Sequence, residues 1–311
     1  MNRIIEISND GRHISADRGF MVVSEHGSEL GRVPFDQIDA VIANAHGITY
    51  SNNLLVRLAE QNAPLVICGA NHSPVAVLIS LTGHHLQSNI TRAQAGIKET
   101  TLNRLWKDIV AAKIKQQAAV LKAFGLPDVR LNFLAKRVKS GDPENFEGQA
   151  ARYYFQTLFG PDFRRDRNAP GINALLNYGY IILRSAVIRS IVAAGLQPAL
   201  GIHHHNQYNP MCLADDLIEP FRPIIDFRVR KIVDGGNTEV TPEAKRQLVA
   251  VLSAAVYTDS GAQELNYIIQ RLATSLAGIV SGQRDKLELP PTIKDVEKCL
   301  LQLSLDITLC G

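Results

Sequence analysis

The feature that most constrains this 311-residue chain is a change of periodicity part-way along it. Up to about residue 82 the apolar residues fall in short runs rich in Val and Ile: RIIEIS, FMVVSE, DAVIAN, PLVICG and PVAVLIS. Each has strand length and is bounded by turn residues, with Asn-Asp-Gly in SNDGRH and the SEHGSELG stretch punctuating the gaps. Only ITYSNNLLVRLAEQNA breaks this pattern. Its Leu54, Leu55 and Leu58 recur at helical spacing, and Ser51 is placed to cap the helix. After Thr82-Gly83-His84-His85 the apolar residues recur mostly at three and four. Segments 92–123, 143–159, 172–194, 213–233, 242–254 and 262–281 then read as helices. Asp142-Pro143 reads as a helix start, with Asp as cap and Pro at the first helical position. The expected fold is α+β. A small, mostly β domain covers residues 1–85, a larger all-α domain covers 86–311, and the boundary lies near residues 83–90.

Charge matters through its distribution. The formal net charge is only +3, yet Arg92 to Lys139 carries eleven Lys/Arg against three Asp/Glu (Glu99, Asp108, Asp128), a local net of +8. Such a stretch suits phosphate backbones, or else is a solvated helical face. No run of 18 uninterrupted apolar residues suggests a membrane span, so no membrane partner is expected. MNRIIEISNDGRH lacks the apolar centre of a secretory signal. Cys68, Cys212, Cys299 and Cys310 form no CxxC pair, which argues against a zinc ribbon or a disulfide framework and makes a reduced cytoplasm the expected compartment. There is no Walker A motif, no GxGxxG opening a helix and no GxSxG.

Two places put polar residues where a helix should be apolar. Glu147 shares a helical face with Ala151, Tyr154 and Leu158. A carboxylate there needs a cation, a donor or a metal; a salt bridge to a nearby Arg such as Arg152 would also satisfy it. The second place is GIHHHNQYNPMCLADDLIEPFRPIID, residues 201–226. Neutral imidazole is a common metal ligand, but three adjacent histidines cannot all point one way, so at most two of His203, His204 and His205 share a site. Asp216 and Glu219 follow at i, i+3. With a histidine they could bind Mg²⁺ or Mn²⁺, while Asp215 and Asp216 could equally be capping or solvated acids. Tyr178 and Tyr180 sit in an apolar helix with Asn173 and Asn177 and read as core. Arg164-Arg165-Asp166-Arg167 is a polar loop that either touches phosphate or is solvated.

The runs NFEGQAARYYF, NALLNYGY and GIHHHNQYN…LADDLIEPFRP together resemble the CRISPR-associated integrases of the adaptation complex, in a form similar to those of type II systems. The resemblance covers the whole chain. It implies an enzyme whose metal ligands, for Mg²⁺ or Mn²⁺, fall on Glu147, His204 and Glu219, with Asp216 and His205 as candidate supporting residues. The implied reaction is transesterification, a protospacer 3′-hydroxyl attacking a phosphodiester at the repeat boundary. The resemblance also implies double-stranded DNA as partner, a homodimer with the β domain in dimerisation and DNA bracketing, and a small second adaptation protein. Four integrase subunits and two of that partner would assemble in the cytoplasm of a prokaryote. The residues alone leave two rivals open: a non-catalytic DNA-binding scaffold, and a metal nuclease that acts without a partner.

Arg92, Lys113, Lys115, Lys136 and Arg137, with Arg222 further on, are the candidate phosphate contacts. Reversing the charge of two or three of the first five is expected to weaken DNA binding. Each lost duplex contact should also lower the salt slope of the binding constant by roughly 0.9. Titrations at several salt concentrations check this, and an unchanged affinity and slope would make the stretch a solvated face.

Overall fold

Eight strands and one helix precede the helical region of this computed structural model, which describes residues 3–69, 74–80, 84–258 and 261–292. They are β1 (Arg3–Ile7), β2 (Arg12–Asp17), β3 (Phe20–Glu25), β4 (Ser28–Pro34), β5 (Ile38–Ala43), β6 (Thr49–Tyr50), α1 (Asn52–Glu60), β7 (Leu65–Cys68) and β8 (Pro74–Leu78). One four-stranded sheet has the order β4-β3-β2-β6; the other runs β1-β5-β7-β8, parallel except for β7–β8. Three strands escape the sequence reading: β2, β4 and the two-residue β6, which sits in the stretch read as helical. For β2 and β4 the turns explain why. Arg18-Gly19 and His26-Gly27 all have positive φ, the geometry of two-residue hairpins, so what reads as punctuation is the tip of a hairpin. Ser51 caps α1 as expected, its hydroxyl accepting from Leu54 N at 3.3 Å.

Every residue of β5 is buried, because its sheet is covered on both faces. Ile38, Val41 and Ala43 pack into a small core with Ile14, Met21, Leu54 and Leu58. Ala40 and Ile42 face the other way, into the large core of the helical region. Polar contacts join the same two parts. Glu6 Oε1 accepts from Lys245 Nζ at 2.8 Å and from Asn44 Nδ2 at 2.7 Å, and Tyr178 donates its hydroxyl to Glu6 Oε2. Asp39 pairs with Arg189 and accepts from Asn266 Nδ2 at 2.8 Å.

The helical region comprises α2 (Gln87–Ala95), α3 (Glu99–Ala123), α4 (Val129–Ala135), α5 (Phe146–Phe159), α6 (Ile172–Ala193), α7 (Cys212–Leu217), α8 (Arg222–Asp234), α9 (Pro242–Ala250) and α10 (Leu265–Val280). A short antiparallel hairpin, β9 (Ala255–Thr258) and β10 (Gly261–Glu264), lies between the helical segments 242–254 and 262–281 read from sequence and takes the first residues of the second, where an all-α region is expected. Three further boundaries differ. The 92–123 segment breaks at Gly96, which ends α2. The 213–233 segment breaks at Glu219–Phe221, a 3-10 turn containing Pro220, whose missing N–H cannot continue the helix. Asp142 and Asn145 both have positive φ, so α5 starts at Phe146 rather than Pro143. By length and hydropathy α6 could cross a membrane, but 78% of its apolar window is buried and it is the central helix of the core. Tyr178 and Tyr180 are core residues as expected, as are Cys68 and Cys212. Thr82-Gly83, Cys299, Cys310 and the terminal segment from residue 293 lie outside the described residues.

Glu6→Ala is expected to destabilise the protein by roughly 3 kcal/mol or more, because it leaves the Lys245 ammonium and the Tyr178 hydroxyl without their acceptor in a largely buried joint. Removing the exposed Arg57–Glu60 pair should cost about 0.5 kcal/mol or less. Urea unfolding of the two variants checks the contrast.

Candidate active site

Glu147 stands in the first turn of α5, and a run of local hydrogen bonds fixes it there. Asp142 Oδ1 accepts from Phe146 N at 3.0 Å and Oδ2 from Glu147 N at 2.9 Å. Asn145 Oδ1 caps the helix by accepting from Gly148 N at 2.9 Å; a Cβ on Gly148 would lie 2.7 Å from that oxygen. Ala150, Tyr154 and Leu158 on the same helix are buried, so Glu147 is the polar end of an apolar face.

Its partner is Lys113 of α3. The ammonium lies 2.6 Å from Glu147 Oε1 and also pairs with Glu219 Oε2. Lys113 is 8% exposed, in line with the buried Ile109, Val110, Ile114 and Gln117. Burial works against its charge, but Glu219 and Glu147 outweigh burial and hold its pKa above the ordinary lysine value. Glu219 occupies the 3-10 turn before Pro220, where Arg222 Nε donates to its Oε1 at 2.9 Å. Burial opposes ionisation of Glu219 too, yet Arg222 and Lys113 hold its carboxyl down at about 2. Glu219 Oε2 is buried against the Lys113 ammonium. The arginine suggested by sequence as a partner of Glu147, Arg152, is exposed and lines another cleft with Arg130.

The histidine loop is organised from beneath by Asp216, which is 0% exposed. Its carboxylate accepts from Ile202 N at 2.5 Å, His203 N at 2.9 Å and His204 N at 3.2 Å, and lies 2.6 Å from His204 Nδ1. The bond to Asp216 raises the His204 pKa, helped by the nearby charges of Glu219 and Glu147. Gly201 makes the turn possible: a Cβ there would lie 2.4 Å from His204 O and 2.9 Å from Asp216 Oδ2. His203 stacks flat on Trp106 with ring centroids 4.3 Å apart, and His204 meets the same indole edge-on at 5.7 Å. His205 is exposed and lines a separate groove with Gln94, Leu200 and Leu213, so it does not support the site.

Beside Arg222 opens a cleft of about 530 Å³ lined by Arg165, Arg167, Arg184, Tyr180 and Tyr208, with Asp215 as its acid. Asp215 is engaged by Arg184 at 2.7 Å and by Asn209 Nδ2 at 2.6 Å. Arg165 donates to Asn173 Oδ1 at 2.8 Å and Asn177 Oδ1 at 2.5 Å, so the 164–167 loop is tied to α6 rather than merely solvated. Arg222 and Arg165 pack over the Tyr180 ring at 4.5 and 5.4 Å, and Tyr180 donates its hydroxyl to Asp226. Burial pushes the Asp226 carboxyl up to about 7, against the opposing bond from Tyr180.

Glu147, Glu219, His204 and Asp216 are thus neighbours drawn from three parts of the chain. Among the candidate phosphate contacts Arg92, Lys115, Lys136 and Arg137 are exposed, whereas Lys113 is buried in the carboxylate pair and is corrected out of that set. Arg222 is spoken for by Glu219 but also reaches the cleft. Sequence reasoning missed Trp106 and the central place of Lys113. The signal for Lys113 was present, because a lysine on the buried stripe of α3 is the same anomaly that singled out Glu147 on α5.

As the side chains stand, no three His, Cys, Asp or Glu among the described residues are grouped to ligate one ion. The donors nevertheless fit a hard divalent cation. Two carboxylates already share the Lys113 ammonium, and Asp216 holds His204 by Nδ1, leaving Nε2 as its remaining ring nitrogen.

Residues 5–247 match the family model described as CRISPR associated protein Cas1. The chain belongs to the Cas1 family. The CRISPR-associated endonuclease Cas1 of Neisseria meningitidis serogroup C (strain 8013) is 36% identical over 294 residues, covering 93% of this chain and 95% of that one. Among solved structures, a casposase bound to integration product superposes with a TM-score of 0.79 at 21% identity, covering 99% of both chains. A Cas6-RT-Cas1–Cas2 complex gives a TM-score of 0.74 at 21% identity, over 94% of this chain and 36% of that one. The structural likenesses extend over the strands and the helical core.

The Asp226 carboxyl generates a pH prediction for this Cas1-family chain. A folded pKa near 7 means the native state keeps a proton that the unfolded state releases near pH 4. Stability from this group is therefore lost as pH rises towards and through 7. Asp226→Asn, which keeps an acceptor for Tyr180, should gain about 2–3 kcal/mol relative to the parent between pH 5 and pH 8. Urea unfolding at the two pH values checks it, and a constant difference would contradict the raised pKa.

Proposed function

We propose that this protein is a divalent-metal-dependent DNA integrase and endonuclease that inserts protospacer DNA into a CRISPR repeat array. The observation that carries the reading is the buried Glu147–Glu219 pair, linked through Arg222 to an arginine-lined cleft. The printed names support it: the Neisseria relative is an endonuclease, and the structural neighbours hold an integration product or a Cas2 subunit.

Glu147, Glu219 and Nε2 of His204 would hold Mg²⁺ or Mn²⁺, which when bound polarises a phosphoryl oxygen and stabilises charge on the attacking and leaving oxygens. The remaining work falls to the chain. Asp216 holds the His204 ring by Nδ1, so Nε2 is the nitrogen left for the ion. Arg165, Arg167 and Arg184 hold strand phosphates in the cleft, and Tyr208, 84% exposed at its rim, offers a stacking face for a base. Arg222 places a fixed positive charge between the cleft and Glu219, where the phosphodiester must lie. In the reaction a 3′-hydroxyl forms one P–O bond as the strand's own P–O bond breaks. Phosphodiesters are exchanged, and what the protein supplies is alignment and charge.

Double-stranded protospacer and repeat DNA are the proposed partners, with a homodimer and a small second adaptation protein in a four-to-two assembly. Residues 1–85 would serve dimerisation and DNA bracketing, residues 86–311 the chemistry, in the cytoplasm of a prokaryote. Light scattering of the purified chain alone, then mixed with the second protein, reads both states.

Alanine at Glu147, His204 or Glu219 should reduce joining of protospacer DNA into a repeat-bearing plasmid to background while leaving DNA binding intact. His205→Ala should retain activity, and Asp216→Asn should lose roughly 10- to 100-fold. Nicking of plain DNA without joining would favour a partner-independent nuclease. Retention of joining by all three alanine variants would overturn the metal site, and a protein that binds DNA but neither nicks nor joins it would be a scaffold.

A further inference from the structure

We propose that Lys113 is a built-in competitor for the divalent ion. Its ammonium holds Glu147 and Glu219 together in the metal-free protein and withdraws when the ion enters. The proposal rests on the reading of this carboxylate pair as the metal site. It assigns a role to a residue that sequence placed on the DNA-binding surface.

The geometry makes the competition unavoidable. Glu147 comes from the first turn of α5 and Glu219 from the 3-10 turn before α8, and Lys113 Nζ contacts one oxygen of each. Arg222 already occupies Glu219 Oε1, so Oε2, the oxygen paired with Lys113, is the one that ion and ammonium would contest. A charged ammonium has three donors and no lone pair, so it cannot become a ligand. An ion bound to those two oxygens would stand within a few ångströms of the ammonium, and like charges so close in a desolvated site repel strongly. The lysine must therefore move, and its four-carbon stem lets it do so.

The arrangement also explains why a lysine is tolerated on the buried face of α3. An isolated ammonium at 8% exposure would be costly, and so would two neighbouring carboxylates with no cation between them. Each offsets the other in the absence of metal. The site is then preassembled but closed, and the observed metal affinity is the intrinsic affinity reduced by the fraction of molecules whose lysine is out.

The test uses the full-length protein and Mn²⁺ alone. Calorimetric titration, with free Mn²⁺ followed by electron paramagnetic resonance, is compared for the parent, Lys113→Met and Lys113→Gln. Thermal unfolding is measured in EDTA and in Mn²⁺. Both variants are expected to bind Mn²⁺ at least tenfold more tightly than the parent. Their Tm in EDTA should fall by roughly 5 °C or more, and Mn²⁺ should raise it further than it raises the parent's. The glutamine variant keeps a donor between the carboxylates and serves where the methionine variant does not fold without metal. A parent that binds Mn²⁺ with variants equal to it or weaker overturns the proposal and leaves the metal site standing. Absence of binding in all three proteins overturns the metal site itself, and the proposal with it.

Discussion

The buried charge cluster of Lys113, Glu147, Glu219 and Arg222 is the interaction on which the rest of the helical region depends. It ties α3 to α5 and to the turn before α8, three elements that also pack through the large apolar core. Charges in such a place are tolerable only when matched, and here two cations face two carboxylates. The match fixes the relative positions of the helices that carry the chemistry, because sliding any one of them would strand a charge in the core. The ammonium of Lys113 is what lets two carboxylates stand side by side in this core.

Around this cluster the backbone is shaped by small residues and buried acceptors. Asp216 gathers three consecutive backbone N–H groups and one imidazole, so the orientation of His204 follows from a carboxylate with no exposure to solvent. Gly201 and Gly148 stand where a Cβ would meet His204 O or the capping Asn145 side chain. On the other side of Arg222, Tyr180 lines the arginine-lined cleft and donates to the buried Asp226. The cleft's positive charge is anchored in the core by hydrogen bonds and ring contacts rather than displayed on a flexible surface.

The strand-rich part is joined to this machinery through β5 and Glu6. Because β5 alternates its side chains between two cores, displacement of the sheet would open both at once. Glu6 adds direction: it reaches Tyr178 on α6 and Lys245 on α9, and the Tyr178 side chain lies two positions before the Tyr180 that supports the cleft. The sheet and the site are connected by one rigid helix.

Much of this was legible in the residues alone. Short Val- and Ile-rich runs bounded by turn residues before residue 82, and spacings of three and four afterwards, determined an α+β chain with strands first, since run length and spacing decide how a segment can be buried. Glu147 on an apolar helix face, and the histidine run followed by acids at short spacing, marked the site because a polar group there demands a partner. Tertiary structure alone decided which partner. Lys113 is 34 residues from Glu147 and 106 from Glu219, and no local pattern reports that α3 brings an ammonium between them. Nor does sequence choose among His203, His204 and His205. Their different surroundings come from the fold: a buried Asp216 lies against Nδ1 of His204, an indole from α3 stacks on His203, and His205 lines a separate groove. Hairpin tips, the Pro220 break and the β9–β10 interruption escaped for a related reason: they are set by backbone conformation and long-range packing, which the spacing of apolar residues does not encode.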